Sequence, residues 1–232
     1  MIDYDYDRWT KYILKIFKMQ NVTPKYIADI ACGTGSFTIR LSDRGYELIG
    51  IDSSEDMLNV AKNKSLDLGL DIPFIHQDIR HLSLHRNMDA IICMCDGFNY
   101  ILSKKDLKMS FKRVYESLEQ AGIFIFDISS YYKLKNILGN NVMADASEDI
   151  SLIWFNEFFK EELICRMDLT FFLRSKDVYT RFDETHFQRA YTLEDIVDNL
   201  LDIGFTDTQV YTPFTFDSAR ENDHRWVFVA KK

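Results

Sequence analysis

The sequence predicts an α/β fold with a seven-stranded, mostly parallel sheet, helices on both of its faces and an antiparallel strand insertion after the fifth strand. In the first half of the chain, short apolar runs alternate with helical patterns, an order that is typical of parallel sheets with crossover helices. Residues 151–190 then show long stretches rich in aromatic and β-branched residues without a helical period. The alternation resumes afterwards, so the insertion interrupts a single sheet.

Five strand-like runs account for the first half of the chain. Glycines follow the first run, and a capped, acidic turn follows the second. The fourth run is almost continuously apolar, as in a strand that is buried on both faces. The predicted strands are residues 26–31, 46–51, 73–76, 89–95 and 123–126. The predicted helices between them are residues 36–43, 53–68 and 103–118.

The second half contains the insertion and the last elements of the sheet. Three antiparallel strands are expected near residues 151–159, 163–174 and 178–189. Thr192 and Asp195 have the spacing of a capping box, which predicts a helix that ends near Gly204. The final strands, a hairpin, are expected at residues 205–211 and 226–230. We therefore expect one domain over residues 1–232, in which residues 129–190 form an inserted antiparallel subdomain.

Composition and charge narrow the class of the protein. Its 232 residues suit one domain, and 47% hydrophobic residues support a sizeable core. A net charge of −8 without a basic stripe argues against a nucleic-acid partner. The acidic, aromatic N-terminus does not resemble a signal peptide, and no apolar stretch approaches the roughly 18–20 residues that span a bilayer. We expect a cytoplasmic protein without a membrane partner, present as a monomer or a homodimer.

The cysteines and histidines give little indication of a metal site. The cysteines at positions 32, 93, 95 and 165 have the spacing of neither a redox pair nor a zinc knuckle, so free thiols in a reducing compartment are expected. His81 and His85 are four residues apart, but their neighbours suggest a loop and no third ligand is near. We therefore expect no bound metal.

The most informative segment is the glycine turn after the first strand, which contains Gly33 and Gly35. Such a turn lets a ligand approach the backbone closely, and it directs the amides of a helix N-terminus at that ligand. Dinucleotide-binding folds use the spacing G-x-G-x-x-G. Here Thr38 occupies the third glycine position, so this motif is incomplete and a merely structural turn is the alternative.

Acidic residues accompany this turn in the first three strands or just after them. Asp29 precedes the turn, Asp52 ends the second strand and Asp78 follows the third. Asp52 could accept hydrogen bonds from both ribose hydroxyls of a nucleoside, or it could cap the next helix. Asp78 could accept from an adenine amino group, or it could be a solvated loop residue. Three such acids beside one glycine turn favour a nucleoside pocket.

These residues carry a resemblance to the class I S-adenosylmethionine-dependent methyltransferases. The segments that resemble this family's motifs are residues 29–35, 51–58, 77–79, 95–100 and 122–127. The resemblance covers residues 25–128 and 185–230 and implies a Rossmann-like sheet with S-adenosylmethionine as the cofactor. The implied cofactor-binding residues are Asp29, Ala31, Cys32, Gly33, Gly35, Asp52, Ser53, Met57, Gln77, Asp78, Ile79, Cys95, Asp96 and Asn99. Ala31 replaces the family's first glycine, and a tight turn there requires a negative φ.

Methyl transfer from a sulfonium needs alignment and water exclusion more than a strong catalytic constellation, and none is visible in the sequence. Residues 186–192 resemble an H-x-x-R-x-Y-T segment of a small-molecule subgroup that includes sugar-amine and glycine-type N-methyltransferases. The expected substrate-binding residues are Tyr4, Trp9, Tyr12, Asn99, Tyr100, His186 and Arg189. His186 is the candidate proton acceptor, although a lone histidine is more often structural. The aromatic residues of the insertion are candidates for acceptor contact, core packing or a dimer interface.

We therefore expect methyl transfer to a small-molecule acceptor that carries an amine, a hydroxyl or a carboxylate. A nicotinamide-dependent oxidoreductase and a non-catalytic module that binds S-adenosylmethionine are the alternatives. The insertion leaves the sheet after the fifth strand, whose carboxyl end lies where parallel sheets bind ligands. It is expected to roof the acceptor site, with His186 and Arg189 near the mouth. Phe182, Glu184 and His186 then share one face of a regular strand.

Overall fold

The computed structural model describes residues 4–176 and 178–232, which form a seven-stranded sheet, a four-stranded sheet and five α-helices. The helices are α1 (Tyr6–Met19), α2 (Ser36–Ser42), α3 (Glu55–Asp67), α4 (Lys104–Ser117) and α5 (Leu193–Ile203). The strands are β1 (Tyr26–Ile30), β2 (Glu47–Asp52), β3 (Phe74–His76), β4 (Met88–Cys93), β5 (Leu118–Ser129), β6 (Val142–Ala146), β7 (Ile150–Phe159), β8 (Ile164–Ser175), β9 (Val178–Arg189), β10 (Thr206–Tyr211) and β11 (Arg225–Lys231).

The large sheet has the strand order β10-β11-β5-β4-β1-β2-β3. The pairings among β1 to β5 are parallel, whereas β11 runs antiparallel to both β5 and β10. The predicted fold class, a mostly parallel seven-stranded sheet with a late antiparallel insertion, is confirmed. Because β1 to β5 are parallel, their carboxyl ends share one edge of the sheet, where ligands bind in folds of this kind.

Hydrophobic residues cover both faces of this sheet because successive side chains of a strand point to opposite faces. Along β5, Phe124 and Phe126 join the core cluster that contains residues of α4 and α5. Ile123 and Ile125 join the cluster that contains residues of α1 and α2. All four are fully buried. The predicted placement of helices on both faces follows from this alternation.

The helix ends use the caps that the sequence indicates. Thr192 and Asp195 form the predicted capping box at the start of α5, with the Thr192 hydroxyl accepting from the Asp195 amide at 3.0 Å. Gly204 ends the helix with a φ of 115°, a conformation that favours glycine. No helix within the described residues is both long and apolar enough to cross a membrane.

Two strand assignments differ from the sequence-based prediction. β5 extends beyond residues 123–126 at both ends. It begins at Leu118, the last residue of the predicted helix 103–118, and it continues through the buried polar residues Asp127 and Ser129 at its carboxyl end. A strand that is predicted from a run of apolar residues ends where polar residues begin. β6 was not predicted, since all of its side chains are exposed and carry no alternating pattern.

The inserted strands form a separate antiparallel sheet with the order β6-β7-β8-β9. The three expected insertion strands are confirmed as β7, β8 and β9. Across this sheet Trp154 pairs with Leu169, Leu169 with Glu184, and Met167 with His186. Because paired residues project from the same face, these side chains belong to one surface of the small sheet.

Candidate active site

Two cavities lie at the carboxyl edge of the large sheet. The edge cavity, of about 730 Å³, is lined mainly by the segments that follow β1 to β4. The roofed cavity, of about 450 Å³, is lined by those at the ends of β4 and β5 together with residues of the four-stranded sheet. Cys95, Tyr100 and His186 line both cavities. The two spaces therefore meet at these three residues.

The glycine turn after β1 contains three residues in the left-handed region. Their φ angles are 53° at Ala31, 54° at Gly33 and 73° at Gly35. The expected negative φ at Ala31 is wrong, and this conformation costs an alanine about 1 kcal/mol. The turn is held by the Cys32 amide, which donates to the Ile51 carbonyl at 3.0 Å.

The two glycines of this turn have different surroundings. A Cβ at Gly33 would meet no atom of the described residues within 4 Å, and Gly33 lines the edge cavity. A Cβ at Gly35 would lie 2.9 Å from the Ala61 Cβ and 3.2 Å from the Phe74 ring. Gly33 thus leaves room for a ligand beside the backbone, whereas Gly35 permits α2 to pack against its neighbours.

Asp29, Asp52 and Asp78 all line the edge cavity. Asp52 accepts from the Gly33 amide at 2.7 Å and from the Ser54 amide at 2.9 Å, so its carboxylate ties the glycine turn to the start of α3. The helix cap itself is Ser54. Asp78 accepts from the backbone and guanidinium of Arg80, whose hydrogen bonds lower the pKa of Asp78.

Asp29 is almost completely buried and accepts from the Thr38 hydroxyl at 2.6 Å. Burial raises the pKa of Asp29 to about 7, and the nearby Asp52 charge adds to the rise. An aspartate in this state can gain or lose its proton near neutral pH. A cationic group bound beside Asp29 would favour its charged form.

A pH-dependent contribution to stability follows from the raised pKa of Asp29. The folded state binds the Asp29 proton more tightly than the unfolded state does. The stability that this bound proton contributes is therefore lost as the pH rises from about 4 to about 7. We expect Asp29→Asn to remove about 2 kcal/mol of this decline between pH 5 and pH 7. Urea unfolding at several pH values measures it. The exposed Asp56→Asn variant is the control, and parallel curves for Asp29→Asn and wild type would contradict the assignment.

Ten of the fourteen predicted cofactor residues line the edge cavity. They are Asp29, Ala31, Cys32, Gly33, Asp52, Ser53, Met57, Asp78, Ile79 and Cys95. The other four have different surroundings: Gly35 packs as described, Gln77 accepts from the Ser83 amide at 3.1 Å, and Asp96 lines the roofed cavity. Asn99 is fully buried and bonds to the backbone of Ser129 and Arg189.

Only two of the predicted substrate residues, Tyr100 and His186, line a cavity. Trp9 and Tyr12 are buried, and Tyr12 donates to the Thr215 carbonyl at 2.6 Å. Asn99 links backbone segments, as described above. Arg189 donates to the carbonyl of Leu102, a residue that lines the edge cavity, at 2.9 Å, but Arg189 itself lines neither cavity.

Tyr4, the remaining predicted substrate residue, lies next to the site without lining it. Its ring stacks on Trp9 at a centroid distance of 5.6 Å, and the Arg225 guanidinium lies 5.9 Å from the ring centroid. Burial raises the pKa of the Tyr4 phenol strongly, and the nearby Asp127 charge raises it further. Tyr4 is therefore a neutral phenol that packs beside the ionised groups of the site.

A buried ionic network, defined by Asp96, Asp127 and Arg225, lies at the base of the roofed cavity. The Arg225 guanidinium donates to both carboxylates. Asp96 also accepts from Ser129 at 2.9 Å and from Gln188 at 3.1 Å. Although burial disfavours its charge, Arg225 and the other partners together lower the pKa of Asp96. The network joins the ends of β4, β5, β9 and β11.

His186 lies at the junction of the two cavities beside Glu184, with which it shares a face of β9. Its Nε2 is 3.0 Å from the Glu184 Oε2, and its ring lies edge-on to Tyr100 at a centroid distance of 5.9 Å. A neutral histidine that donates from Nε2 to this carboxylate leaves Nδ1 free to accept a proton. The arrangement can therefore supply an oriented base.

Several residues of the site were missed from the sequence. Tyr6 lines the edge cavity, and Lys133, Gln188 and Arg225 line the roofed cavity. Tyr6 has the helical spacing of the buried residues Trp9 and Ile13, so the period of α1 does not distinguish it from them. The placement of Arg225 depends on the pairing register of β11 with β5. Across residues 4–176 and 178–232, no group of three or more His, Cys, Asp or Glu side chains is arranged to hold a metal ion.

Comparisons with known proteins agree with this architecture. Residues 27–122 match a family model described as a methyltransferase domain. YqeM of Bacillus subtilis (strain 168), which carries a methyltransferase name, is 36% identical over 228 residues that cover 98% of this chain and 90% of YqeM. A glycine/sarcosine N-methyltransferase of Aphanothece halophytica is 27% identical over 221 residues, which cover 90% of this chain and 76% of that enzyme.

The solved structure of an S-adenosylmethionine-dependent methyltransferase from Clostridium acetobutylicum ATCC 824 has the same fold. It superposes with a TM-score of 0.92 at 34% identity, covering 99% of this chain and 93% of that one. These similarities extend over nearly the whole chain and include the segments that line the edge cavity. The chain belongs to the S-adenosylmethionine-dependent methyltransferases.

Proposed function

We propose that this enzyme transfers the methyl group of S-adenosylmethionine to a small-molecule acceptor, with the cofactor in the edge cavity and the acceptor in the roofed cavity. The observation that carries the proposal is that the two cavities meet at Cys95, Tyr100 and His186. In-line displacement requires the nucleophile to approach the methyl carbon from the side opposite the sulfonium sulfur. Because the two cavities adjoin at these three residues, an acceptor in one can face the methyl group of a cofactor in the other.

The residues of the edge cavity fit the parts of the cofactor. The open space beside Gly33 admits a ligand against the turn, whose amides can bind a carboxylate, and Asp29 can pair with an ammonium group. Asp52 can accept from the ribose hydroxyls, and Asp78 from the adenine amino group. The bound cofactor supplies an electrophilic sulfonium methyl, and the protein supplies orientation and protection from water.

The inserted sheet covers the proposed acceptor site. We propose that residues 1–232 form one domain, in which residues 129–190 contribute the covering subdomain. Trp154, Met167, Leu169 and Phe171 line the roofed cavity from this sheet, and its volume is within the range of small-molecule sites. The Aphanothece relative is named for methylation of the amines glycine and sarcosine, which supports a small acceptor with a nucleophilic amine, although a hydroxyl can act in the same way.

Two measurements on the purified protein test this function. S-adenosylhomocysteine at a hundred times its Kd should stabilise the fold by about 2.7 kcal/mol, whereas NAD should not. Labelled S-adenosylmethionine should then transfer its methyl group to at least one member of a panel of small amines and phenols. A protein that binds S-adenosylhomocysteine but methylates only nucleic acid or protein would overturn the proposed acceptor class.

The role of His186 gives a separate prediction. We expect His186→Asn to lower kcat at least about tenfold, because an oriented base contributes to proton removal, while the Kd for S-adenosylhomocysteine changes less than about twofold. Steady-state kinetics and calorimetry on the folded variant measure the two effects. The exposed His85→Asn variant is the control and should behave as wild type. Wild-type turnover in His186→Asn would exclude His186 as the base.

A further inference from the structure

The roofed cavity contains a second cation, which makes no direct ion pair with the carboxylates of the ionic network. Lys133, in the helical turn after β5, lines this cavity and donates to the Ser129 hydroxyl at 3.1 Å. Among the residues that the structure describes, no carboxylate oxygen lies within 4.0 Å of its ammonium nitrogen. Arg225, by contrast, is paired with two carboxylates. The Lys133 ammonium therefore retains donor capacity toward the cavity.

The surroundings of Lys133 make this charge costly in the free protein. Burial lowers the pKa of Lys133, and the neighbouring Arg225 charge lowers it further. The Asp96 and Asp127 charges raise it, but both carboxylates accept from Arg225, and Asp96 also accepts from Ser129 and Gln188. Asp145, which also lines the cavity, is on the exposed strand β6, where solvent screens its charge. An anion inside the cavity would give the Lys133 ammonium a direct partner, which neither carboxylate of the network provides within 4.0 Å.

A second free donor belongs to the roof of the same cavity. The indole Nε1 of Trp154 is buried and has no hydrogen-bond partner among the described residues. Leaving a buried donor unpaired is costly, so such a group usually meets a partner in the functional state. Most of the remaining wall is apolar and includes Leu152, Met167, Leu169 and Phe171.

We propose that the methyl acceptor carries a carboxylate on an apolar body, and that Lys133 and the Trp154 indole bind this carboxylate in the roofed cavity. The inference rests on the proposed function and specifies its substrate class. Two single-point donors match the two oxygens of a carboxylate. The mostly apolar wall suits an apolar body, and Arg225 already donates to Asp96 and Asp127. The nucleophile of the same molecule then faces Tyr100 and His186 at the junction.

Matched ligand pairs test this inference on the S-adenosylhomocysteine complex. We would measure by calorimetry the binding of 3-phenylpropionate against 3-phenylpropanamide, and of indole-3-acetate against indole-3-acetamide. Each pair differs in charge but hardly in shape. We expect wild-type protein to bind at least one carboxylate ten or more times tighter than its amide, as expected for a charge-assisted hydrogen bond. This comparison does not depend on the folding of any variant.

Substitutions at Lys133 and Trp154 test whether these residues cause the preference for a carboxylate over an amide. Lys133→Gln should weaken carboxylate binding at least tenfold and change amide binding less than twofold. Trp154→Phe, which keeps the apolar surface and removes the donor, should weaken carboxylate binding by about three- to tenfold. Lys135→Gln is the matched control, because Lys135 is on the same helical turn, lines neither cavity and donates to Tyr131. It should leave both affinities unchanged.

The outcomes separate this inference from the proposed function. Equal affinity for carboxylate and amide in every pair, or binding of neither, overturns the carboxylate class, even if the protein binds S-adenosylhomocysteine and methylates neutral acceptors. A preference that survives in Lys133→Gln overturns the assignment to Lys133. A protein that does not bind S-adenosylhomocysteine fails the proposed function itself, and the inference fails with it.

Discussion

Replacing Arg225 with alanine is expected to lower the free energy of unfolding by about 3–5 kcal/mol, because it leaves two carboxylates buried without their cation. Asp127 is fully buried, Asp96 is nearly so, and Arg225 donates to both. Burial raises the pKa of Asp127, which indicates how costly its charge is without this partner. Urea unfolding at pH 7 measures the change.

The destabilisation is specific to the ionic network. Arg220→Ala is the control, since Arg220 is exposed, and a change within about 0.5 kcal/mol is expected there. The double variant Arg225→Ala, Asp127→Ala should lose less stability than the sum of the two single variants, because it removes a cation and a buried anion together. An Arg225→Ala protein as stable as wild type would show that the network contributes nothing to the fold.

The arrangement around the edge cavity could be predicted because it depends on local sequence. The carboxyl ends of parallel strands meet at one edge, so Asp52 and Asp78 could be placed together from the strand order alone. The capping box at Thr192 is a four-residue pattern, and it is present as predicted. Each of these features depends on short sequence separations and on the parallel order of the sheet.

The residues of the roofed cavity depend on pairings that local sequence does not specify. Arg225 reaches Asp127 because β11 pairs antiparallel with β5 in a register that sets Arg225 opposite Ser129. The sequence predicts a hairpin there but not this register, and a shift of one residue would turn Arg225 to the other face. The bonds of Asn99 could not be predicted for a related reason, since its backbone partners, Ser129 and Arg189, are distant in sequence.

The helical period of α1 explains why most of its aromatic residues are buried, but it does not identify the one that reaches the site. Trp9, Tyr12, Ile13 and Ile16 have the spacing of one face of α1, and all four are buried. This face packs against the large sheet, so its aromatic residues serve the core. Tyr6, three residues before Trp9, reaches the edge cavity from the first turn of α1. An aromatic cluster therefore indicated proximity to the site but not which side chain enters it.

The left-handed conformation of Ala31 also could not be predicted from the sequence. Alanine rarely adopts a φ of 53°, and the motif alone did not require it. Hydrogen bonds from the Cys32 and Gly33 amides, to Ile51 and Asp52 respectively, hold the turn in this geometry. Backbone strain at such a position is compatible with a site whose shape is maintained by its neighbours.

Gly33→Val is expected to weaken S-adenosylhomocysteine binding at least about a hundredfold, or roughly 2.7 kcal/mol. A Cβ at Gly33 would meet no atom of the described residues within 4 Å and would project beside the edge cavity, so the added side chain occupies the space assigned to the ligand.

The matched control is Gly45→Val. Gly45 has a φ of 88° and equally open surroundings, but it is in the turn between α2 and β2 and does not line the edge cavity. Both variants incur the strain of a β-branched residue at positive φ, so a similar loss of stability is expected in both. Only Gly33→Val should lose affinity, as measured by calorimetry on the folded proteins. If both variants bind S-adenosylhomocysteine as wild type does, the cofactor does not lie against this turn.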